Sequence, residues 1–405
     1  MTEYNTFDYF LNLFAIAVVC WPIYHLSPSG IVRKGILISM GWLCLWSVAP
    51  RFLLFYIMYW GIVWGALFLQ RKNISSTVLF VALLAFLLFP MVSWKLWSSA
   101  YLQWANFIPH YLLWNFARPI GEIDLVNSIL FPIGISFTTF RALDLLIKTR
   151  VGILEKTPDF LNFLAYAFFP FVLAVGPICE FNEVESKLNQ KDRVTKKDFA
   201  TGFCYLMSGL IKVFILAYPL SNSGAVFTFF EHQATWIIWL ELLKFTFYIY
   251  LNFAGFADLA VGFARIFGFQ IKGNFNFPFL QTNIQNFWNN WHMSLSAFAQ
   301  RNIYVPCGGY RKNRQYIALL ATMLVIALWH GLSWTWLCFG FFHGIGLCVH
   351  RYIERKKKRK TKKSESILIT GLKVCVTFSF VCFSFPLVAL ADDAIVPFYK
   401  NLLGL

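Results

Sequence analysis

Three histidines lie in apolar, aromatic stretches of this sequence. The first is His292, within the run FWNNWHMSLS at Phe287–Ser296, and the second is His330, within ALWHG at Ala327–Gly331. The third is His343, which lies between a phenylalanine and a glycine. An ionisable side chain inside a membrane is costly and is by default a functional-site hypothesis, and histidine exchanges its proton near neutral pH. The pattern therefore predicts proton-transfer chemistry inside a bilayer.

The composition is that of an integral membrane protein. Hydrophobic residues make up 58% of the 405 residues and charged residues only 13%, and the chain contains 46 phenylalanines and 16 tryptophans. The mean hydropathy is +0.59. So few polar residues cannot cover the surface of a soluble globule of this length. We therefore predict a polytopic membrane protein.

A membrane-spanning helix needs about 20 mainly apolar residues. Such runs recur near residues 7–26, 35–49, 51–69, 77–94, 126–148, 160–178, 200–220, 235–262, 316–334, 335–350 and 366–391. Some contain prolines, as at Pro170 and Pro177, and broken helices are tolerated in membranes only where protein or a water-filled cavity surrounds them. The pattern predicts an all-α fold with about 10–12 transmembrane helices plus interfacial or re-entrant helices. We expect a single integral domain over residues 1–405.

The net charge of +16 comes from clusters of lysine and arginine between the apolar runs, the largest at Arg351–Lys363 and another at Lys187–Lys197. Clusters placed in this way keep their loops in the cytoplasm, and they do not indicate a nucleic-acid-binding surface. The largest can also touch anionic lipid headgroups. The predicted partners therefore include membrane lipids and no nucleic acid.

The segment 263–315 is too polar to span a membrane and too aromatic for a free loop. We expect amphipathic helices that lie at the interface or dip into the protein, with His292 inside this layer. The nine cysteines are scattered singly, and no cysteine or carboxylate joins the three histidines at metal-site spacing. The sequence therefore predicts no metal site.

An ordered set of motifs resembles the membrane-bound O-acyltransferase family. In chain order the motifs are GISFTTFR at Gly134–Arg141, Phe169-Pro170, Gly176-Pro177, NFAGFAD at Asn252–Asp258, FWNNWHMSLS, ALWHG and FHG. They cover about residues 130–350, and their shared order carries the resemblance more than any single motif does. The sequence is most similar to the bacterial branch that includes the alginate O-acetylation protein and the D-alanyl transfer protein of teichoic acid.

The resemblance implies roles for the three histidines. The family's catalytic histidine matches His330, its second important histidine matches His292, and the FHG histidine matches His343, which is equally open to a role as a hydrogen-bonding residue between helices. The resemblance also implies a helical ring around a central pore in the bacterial cytoplasmic membrane. No covalently bound cofactor is implied, and the donor would be acetyl-CoA or an acyl-phosphopantetheine carrier protein on the cytoplasmic side. The acceptor would be a cell-envelope polymer or an extracytoplasmic transferase that acts as a relay.

Transfer of an acyl group from a thioester to an alcohol can also be argued from the side chains. A base must remove the alcohol's proton as its oxygen attacks, and a positioned imidazole contributes roughly 10²–10⁴ in rate. His330 is the candidate base, because an apolar environment disfavours the charged imidazolium. The oxyanion that forms needs hydrogen-bond donors. Candidate donors close to the histidines in sequence are Trp329, Trp334, Asn289 and Asn290.

A Ser-His-Asp arrangement is the alternative chemistry. The sequence has no GxSxG elbow and no evident carboxylate partner for a histidine, so we expect Ser294 and Ser296 to cap or line a helix. Two charged residues lie within apolar stretches: Asp258, and Arg141 with Asp144 nearby. For each, a structural ion pair and a substrate contact are both open.

Two classes of function remain. The first is an acyltransferase that moves an acetyl or D-alanyl group from a thioester to a hydroxyl of the cell envelope. The second is a transporter or flippase without acyl-transfer chemistry, for which the broken spans and inward charges would form a substrate path. Many transporters contain inverted repeats, and none is detectable in this sequence. We therefore favour the acyltransferase, while the choice between an acetyl and a D-alanyl donor stays open.

Overall fold

The computed structural model describes residues 3–71, 76–104, 134–154, 157–190, 194–225, 227, 230–356, 366–390 and 392–405. These residues form helices and contain no β-strand. In chain order the helices are α1 Glu3–Leu26, α2 Gly30–Val48, α3 Leu53–Arg71, α4 Thr77–Trp104, α5 Ile135–Arg150, α6 Phe160–Ala167, α7 Phe181–Leu188, α8 Lys196–Leu210, α9 Thr235–Ile266, α10 Ile284–Asn290, α11 Met293–Ala299, α12 Gln315–His330, α13 Trp334–Lys356, α14 Ile367–Ser384, α15 Pro386–Ala389 and α16 Ile395–Leu403.

Six helical segments of the described chain are long and apolar enough to cross a membrane. They are Thr6–Leu26, Gly30–Val48, Pro50–Gln70, Lys196–Ser223, Thr235–Ile266 and Ile367–Ala389. Shorter apolar helices are Thr77–Ser93, Phe160–Val172 and Gln315–His330. Every one of these segments overlaps a predicted span, so the predicted all-α, polytopic membrane fold is confirmed.

Two predicted spans are not among these segments. Of the span 126–148, residues 126–133 lie outside the described residues, and the rest belongs to α5, which is largely buried within the protein and carries charged side chains. The span 335–350 falls within α13, a helix of 23 residues that ends in a charged segment. The count of ten to twelve transmembrane helices stays a prediction.

The chain leaves the helical conformation near Pro170, as the sequence predicts. Helix α6 ends at Ala167, a short 3₁₀ turn follows at Pro170–Val172, and irregular backbone continues to Glu180. Proline has no backbone N–H to donate and disfavours helix in the residue before it. Residues 165–179 are all buried. Protein therefore covers this irregular backbone, as a membrane environment requires.

Contacts within the chain define two compact units, each assembled from separate stretches of sequence. The first comprises Met1–Trp94, Arg118–Lys212 and Gly255–Gly273, and the second comprises Lys95–Ala117, Val213–Ala254 and Asn274–Leu405. The three histidines singled out by the sequence belong to the second unit. In that unit the predicted interfacial layer includes the short helices α10 and α11, a 3₁₀ turn and a π-helical turn.

Candidate functional site

Helices α12 and α13 form a tightly packed pair that positions His330. A Cβ atom added at Gly340 would lie 2.9 Å from the Cβ atom of Ala327, and one added at Gly344 would meet a leucine of α12 at the same distance. Two glycines one helical turn apart thus let the helices approach closely, as small residues do in membrane helix pairs. His330 is the last residue of α12, so this packing sets the place of its imidazole.

The imidazole of His330 lies against two indoles. It stacks on Trp336 with ring centroids 4.7 Å apart and an angle of 6° between the planes, and its centroid lies 4.1 Å from that of Trp329. Gly331 makes the stacking possible, because a Cβ atom there would lie 2.2 Å from Cδ1 of Trp336. The His330 side chain is half-buried. Two aromatic faces therefore hold an imidazole that a substrate can still reach.

Lys95, in the last third of α4, binds the C-terminal end of α12. Its Nζ atom donates hydrogen bonds to the carbonyl oxygen of Trp329 and, at 2.9 Å, to that of His330. The last carbonyl groups of a helix have no partner within the helix and carry partial negative charge, so a cation there is favourable. Lys95 thus fixes the helix end that carries the imidazole and adds a positive charge beside it.

His292 occupies the turn between α10 and α11, and Asn274 holds that turn. The backbone of His292 is left-handed, with φ +43° and ψ +56°, which is uncommon for a residue other than glycine. The main-chain oxygen of Asn274 accepts a hydrogen bond from the N–H of Met293 at 2.9 Å. Its side-chain oxygen accepts from the N–H and the hydroxyl of Ser294, at 3.1 and 2.9 Å. The same oxygen lies 3.3 Å from Nδ1 of His292.

The ring of His292 is buried among aromatic side chains. Its centroid lies 4.8 Å from that of Phe253 and 6.3 Å from that of Trp329, which also contacts His330. Burial lowers the pKa of His292 to about 3, so the imidazole is neutral at physiological pH. Within the described residues, Nε2 of His292 has no hydrogen-bond partner. The two predicted catalytic histidines therefore both contact one tryptophan, Trp329, in one compact unit.

His343 has protein partners on both ring nitrogens. The indole N–H of Trp288 donates to Nδ1 at 3.3 Å. The hydroxyl of Ser384 donates its hydrogen to the carbonyl of Val381. The hydroxyl oxygen of Ser384 therefore accepts a hydrogen bond from Nε2 of His343 at 2.9 Å. The imidazole thus connects α10, α13 and α14. These contacts join three helices, and the role of His343 stays a prediction.

The other predicted oxyanion donors differ in how close they come to His330. Asn289 is exposed, and the side chain of Asn290 donates within its own helix, to a carbonyl at 2.8 Å. Trp334 is 68% exposed, and the indole that stacks on the imidazole is that of Trp336 instead. Trp329 is thus the predicted donor whose ring lies against the candidate base.

Asp258, which belongs to the first unit, forms an ion pair. Its carboxylate accepts hydrogen bonds from Nζ of Lys212 at 2.5 Å and from the hydroxyl of Ser208 at 2.8 Å. Asp258 thus has protein partners, and whether it also contacts a substrate stays a prediction.

Arg141, also in the first unit, is fully buried. Its guanidinium lies over the ring of Tyr166, 4.3 Å from the centroid, and 5.7 Å from that of Trp60. The neighbouring carboxylate of Asp144 is bound by Lys148 at 2.8 Å. Aromatic faces therefore surround this cation, in the geometry of cation–π contacts.

Sequence reasoning missed three residues of the site: Lys95, Asn274 and Trp336. The sequence does contain a signal for Lys95, because it is the only charged residue in the apolar sequence of α4. An isolated charge of that kind indicates a function or a required partner. The sequence contains no such signal for Asn274, since this residue lies 18 positions before His292 in a segment with several other asparagines.

Comparison with known proteins gives a consistent result. The model of the membrane-bound O-acyltransferase family matches residues 136–390. A probable alginate O-acetylase of Azotobacter vinelandii is 33% identical over 243 residues, which are 59% of this chain and 48% of that protein. A peptidoglycan O-acetyltransferase of Helicobacter pylori is 30% identical over 303 residues, 67% of this chain and 55% of that protein. A teichoic acid D-alanyltransferase of Bacillus subtilis is 28% identical over 302 residues, 69% of this chain and 75% of that protein. The chain thus spans about half the length of the first two relatives.

Proposed function

The chain belongs to the membrane-bound O-acyltransferase family, since the family model covers well over half of it, and on that premise we propose that it transfers an acyl group from a thioester to a hydroxyl. The observation that carries the proposal is the setting of His330, a half-buried imidazole that contacts two indoles at a helix end, with His292 in contact with one of the same indoles. Such a pair suits a reaction in which a proton moves within an apolar site.

In the proposed reaction His330 acts as the general base. The acceptor oxygen attacks the carbonyl carbon of the thioester while the imidazole takes the hydroxyl proton. The tetrahedral intermediate then collapses, the carbon–sulfur bond breaks, and the leaving thiolate takes the proton back from the imidazolium. The products are an ester and a free thiol. The positive charge of Lys95, at the same helix end, favours the oxyanion of the intermediate.

The positions of the serines support direct transfer over an acyl-serine intermediate. The hydroxyl of Ser294 donates to Oδ1 of Asn274 at 2.9 Å, and that of Ser296 donates to the carbonyl of Trp288 at 2.9 Å. Both hydroxyl protons are thus engaged with acceptors that cannot serve as the base of a catalytic serine.

The relatives suggest the substrates. Two are named as O-acetyl-transferring proteins of alginate and peptidoglycan, and one as a D-alanyltransferase of teichoic acid. All three names combine an acyl group with a polymer. We propose that this protein takes its acyl group from acetyl-CoA or an acyl-phosphopantetheine carrier protein at the cytoplasmic side, through a pore in the helical ring. It passes the group to a polymer hydroxyl or to an extracytoplasmic relay protein.

The test is acyl transfer by the purified protein in liposomes. Acetyl-CoA and a D-alanyl carrier protein are supplied in parallel, each with a radiolabelled acyl group, and ester formation on alginate, peptidoglycan fragments and teichoic acid is measured. We expect transfer with one donor and a loss of at least roughly 10² in rate for His330→Ala. His232→Ala is the matched control, because that histidine belongs to the same unit and is exposed.

This experiment also separates an acyltransferase from a transporter. A carrier that moves its substrate unchanged consumes no thioester and has no specific need for a base at position 330. Transport of the intact donor into the liposomes without thioester cleavage, or a His330→Ala variant with more than half of the wild-type transfer rate, would refute the proposed function.

A further inference from the structure

We propose that Asn274 is a positioning residue that holds His292 as the tautomer protonated on Nδ1, so that Nε2 faces a substrate as a hydrogen-bond acceptor. The substrate group would be an O–H or N–H donor. The identity of the substrates rests on the proposed acyl transfer, whereas the tautomer rests on the contacts of Asn274.

The first step concerns the orientation of the Asn274 amide. Its side chain lies 3.1 Å from the backbone nitrogen of Ser294, and a backbone N–H can only donate. The atom that faces Ser294 must therefore be the amide oxygen, because the NH₂ group offers donors alone. This contact fixes which atom of Asn274 also faces His292.

The second step concerns the proton of His292. The oxygen of Asn274 lies 3.3 Å from Nδ1 of the imidazole, and two acceptors do not bind each other, so Nδ1 carries the hydrogen and donates it. A neutral imidazole has one N–H and one lone pair. The lone pair is consequently on Nε2, where it can accept a hydrogen bond.

The third step concerns the surroundings of Nε2. His292 is 1% exposed, and Nε2 has no hydrogen-bond partner within the described part of the chain. A buried acceptor without a donor is unfavourable, and native structures contain few of them. His343 is equally buried, but partners occupy both of its nitrogens. In the proposal, a bound molecule supplies the donor to Nε2 of His292.

Two substrate groups have this chemistry. One is the acceptor hydroxyl, and the other is an amide N–H of the pantetheine arm, which acetyl-CoA and an acyl carrier protein share. The two sources predict different kinetics. If Nε2 contacts the pantetheine arm, loss of that contact should raise the KM for the thioester. If Nε2 contacts the hydroxyl, the loss should raise the KM for the acceptor instead.

The tautomer can be measured without any activity. Solid-state ¹⁵N NMR of the ¹⁵N-histidine-labelled protein in liposomes distinguishes Nδ1–H from Nε2–H, and His292→Gln identifies the signal among the seven histidines. We expect Nδ1–H for His292 and the opposite tautomer for His343. In Asn274→Ala the signal of His292 should shift or divide between the two tautomers. Asn276→Ala is the matched control, because Asn276 lies two residues along and its amide binds Asn290.

Kinetics test the role of Nε2. Asn274→Ala should reduce transfer roughly tenfold to a hundredfold, since it leaves a buried donor unpaired and the ring free to change tautomer. If Asn274 acts through His292, then Asn274→Ala adds no further loss in a His292→Ala background. If the rate loss of the double variant equals the product of the two single losses, Asn274 has a merely structural role, and the proposal is overturned.

The remaining outcomes are equally decisive. A proton on Nε2 of His292 in the wild-type protein refutes the inference even if acyl transfer is observed. The expected tautomer together with unchanged kcat and KM values for both substrates in Asn274→Ala refutes the substrate contact. If the wild-type protein transfers no acyl group, the proposed function fails, while the spectra still decide the tautomer.

Discussion

The glycine that follows His330 offers a sharp test of the site geometry. Gly331 has an extended backbone, with φ −162° and ψ 151°, which any residue can adopt. Gly331→Ala therefore introduces no backbone strain. It places a Cβ atom 2.2 Å from Cδ1 and 2.3 Å from Nε1 of Trp336, where ordinary contact begins at 3.4 Å. The indole must retreat by about 1.2 Å, and the imidazole stacked on it loses its support.

A displacement of about 1 Å in a catalytic group costs roughly 10² in rate. We therefore expect Gly331→Ala to lower kcat about a hundredfold, with a smaller effect on the KM for the thioester. Gly371→Ala is the matched control, because a Cβ atom at that helical position meets nothing within 4 Å. Both variants should be monodisperse in detergent and unfold at similar temperatures.

The double variant Gly331→Ala, Trp336→Ala sharpens this test. Removal of the indole eliminates the clash, so the two substitutions should not combine additively, as is expected for residues in contact. A Gly331→Ala variant that retains kcat within twofold of the wild type would show that the stacking of His330 on Trp336 does not hold the base, and the steric reasoning would fail.

Further expectations concern charge, stability and proton transfer. Lys95→Met should lower the transfer rate about tenfold to a hundredfold because it removes a charged donor, and Lys95→Arg should restore part of the rate in the same liposome assay. His343→Ala should lower the free energy of unfolding by about 1–3 kcal/mol in denaturant titrations, because buried partners lose their bonds. Asp258→Ala should lower the free energy of unfolding by about 3 kcal/mol, because it leaves the charge of Lys212 unpaired. The double variant that also replaces Lys212 should lose less, as the same titrations can show. Gln retains hydrogen bonding but cannot take the proton, so it should preserve partial activity at His292 and almost none at His330 in steady-state kinetics; equal, complete loss at both positions would contradict this division.

The sequence alone predicted the elements and the histidines, because both depend on local signals. Apolar runs of sufficient length indicate spanning helices whatever their partners are, and nine predicted spans overlap apolar helices of the described chain. The motif order likewise led to the family that the family model matches. The roles assigned to the individual site residues stay predictions, which the variants above test.

The neighbours of the histidines could not be predicted in this way. Trp334 and Trp336 differ by two positions at the start of α13, and two residues correspond to about 200° around a helix, so they point to nearly opposite sides. Sequence proximity therefore favoured the exposed tryptophan over the one that stacks on His330. Lys95 reaches the same helix end from more than 200 residues away, a contact that only the packing of the unit reveals.

Burial alone does not separate the two histidines for which we predict catalytic roles from His343. His292 and His343 are each 1% exposed and each contact a tryptophan ring, so composition and exposure treat them alike. Their nitrogens differ, because Trp288 and Ser384 satisfy one imidazole completely, whereas Asn274 satisfies one nitrogen of the other. A fully satisfied imidazole rigidifies its surroundings and has nothing left to offer a substrate. In the proposed reaction the partly satisfied ring of His292 keeps a lone pair free for a substrate, and His330, which contacts the same Trp329 indole and is only half-buried, acts as the base.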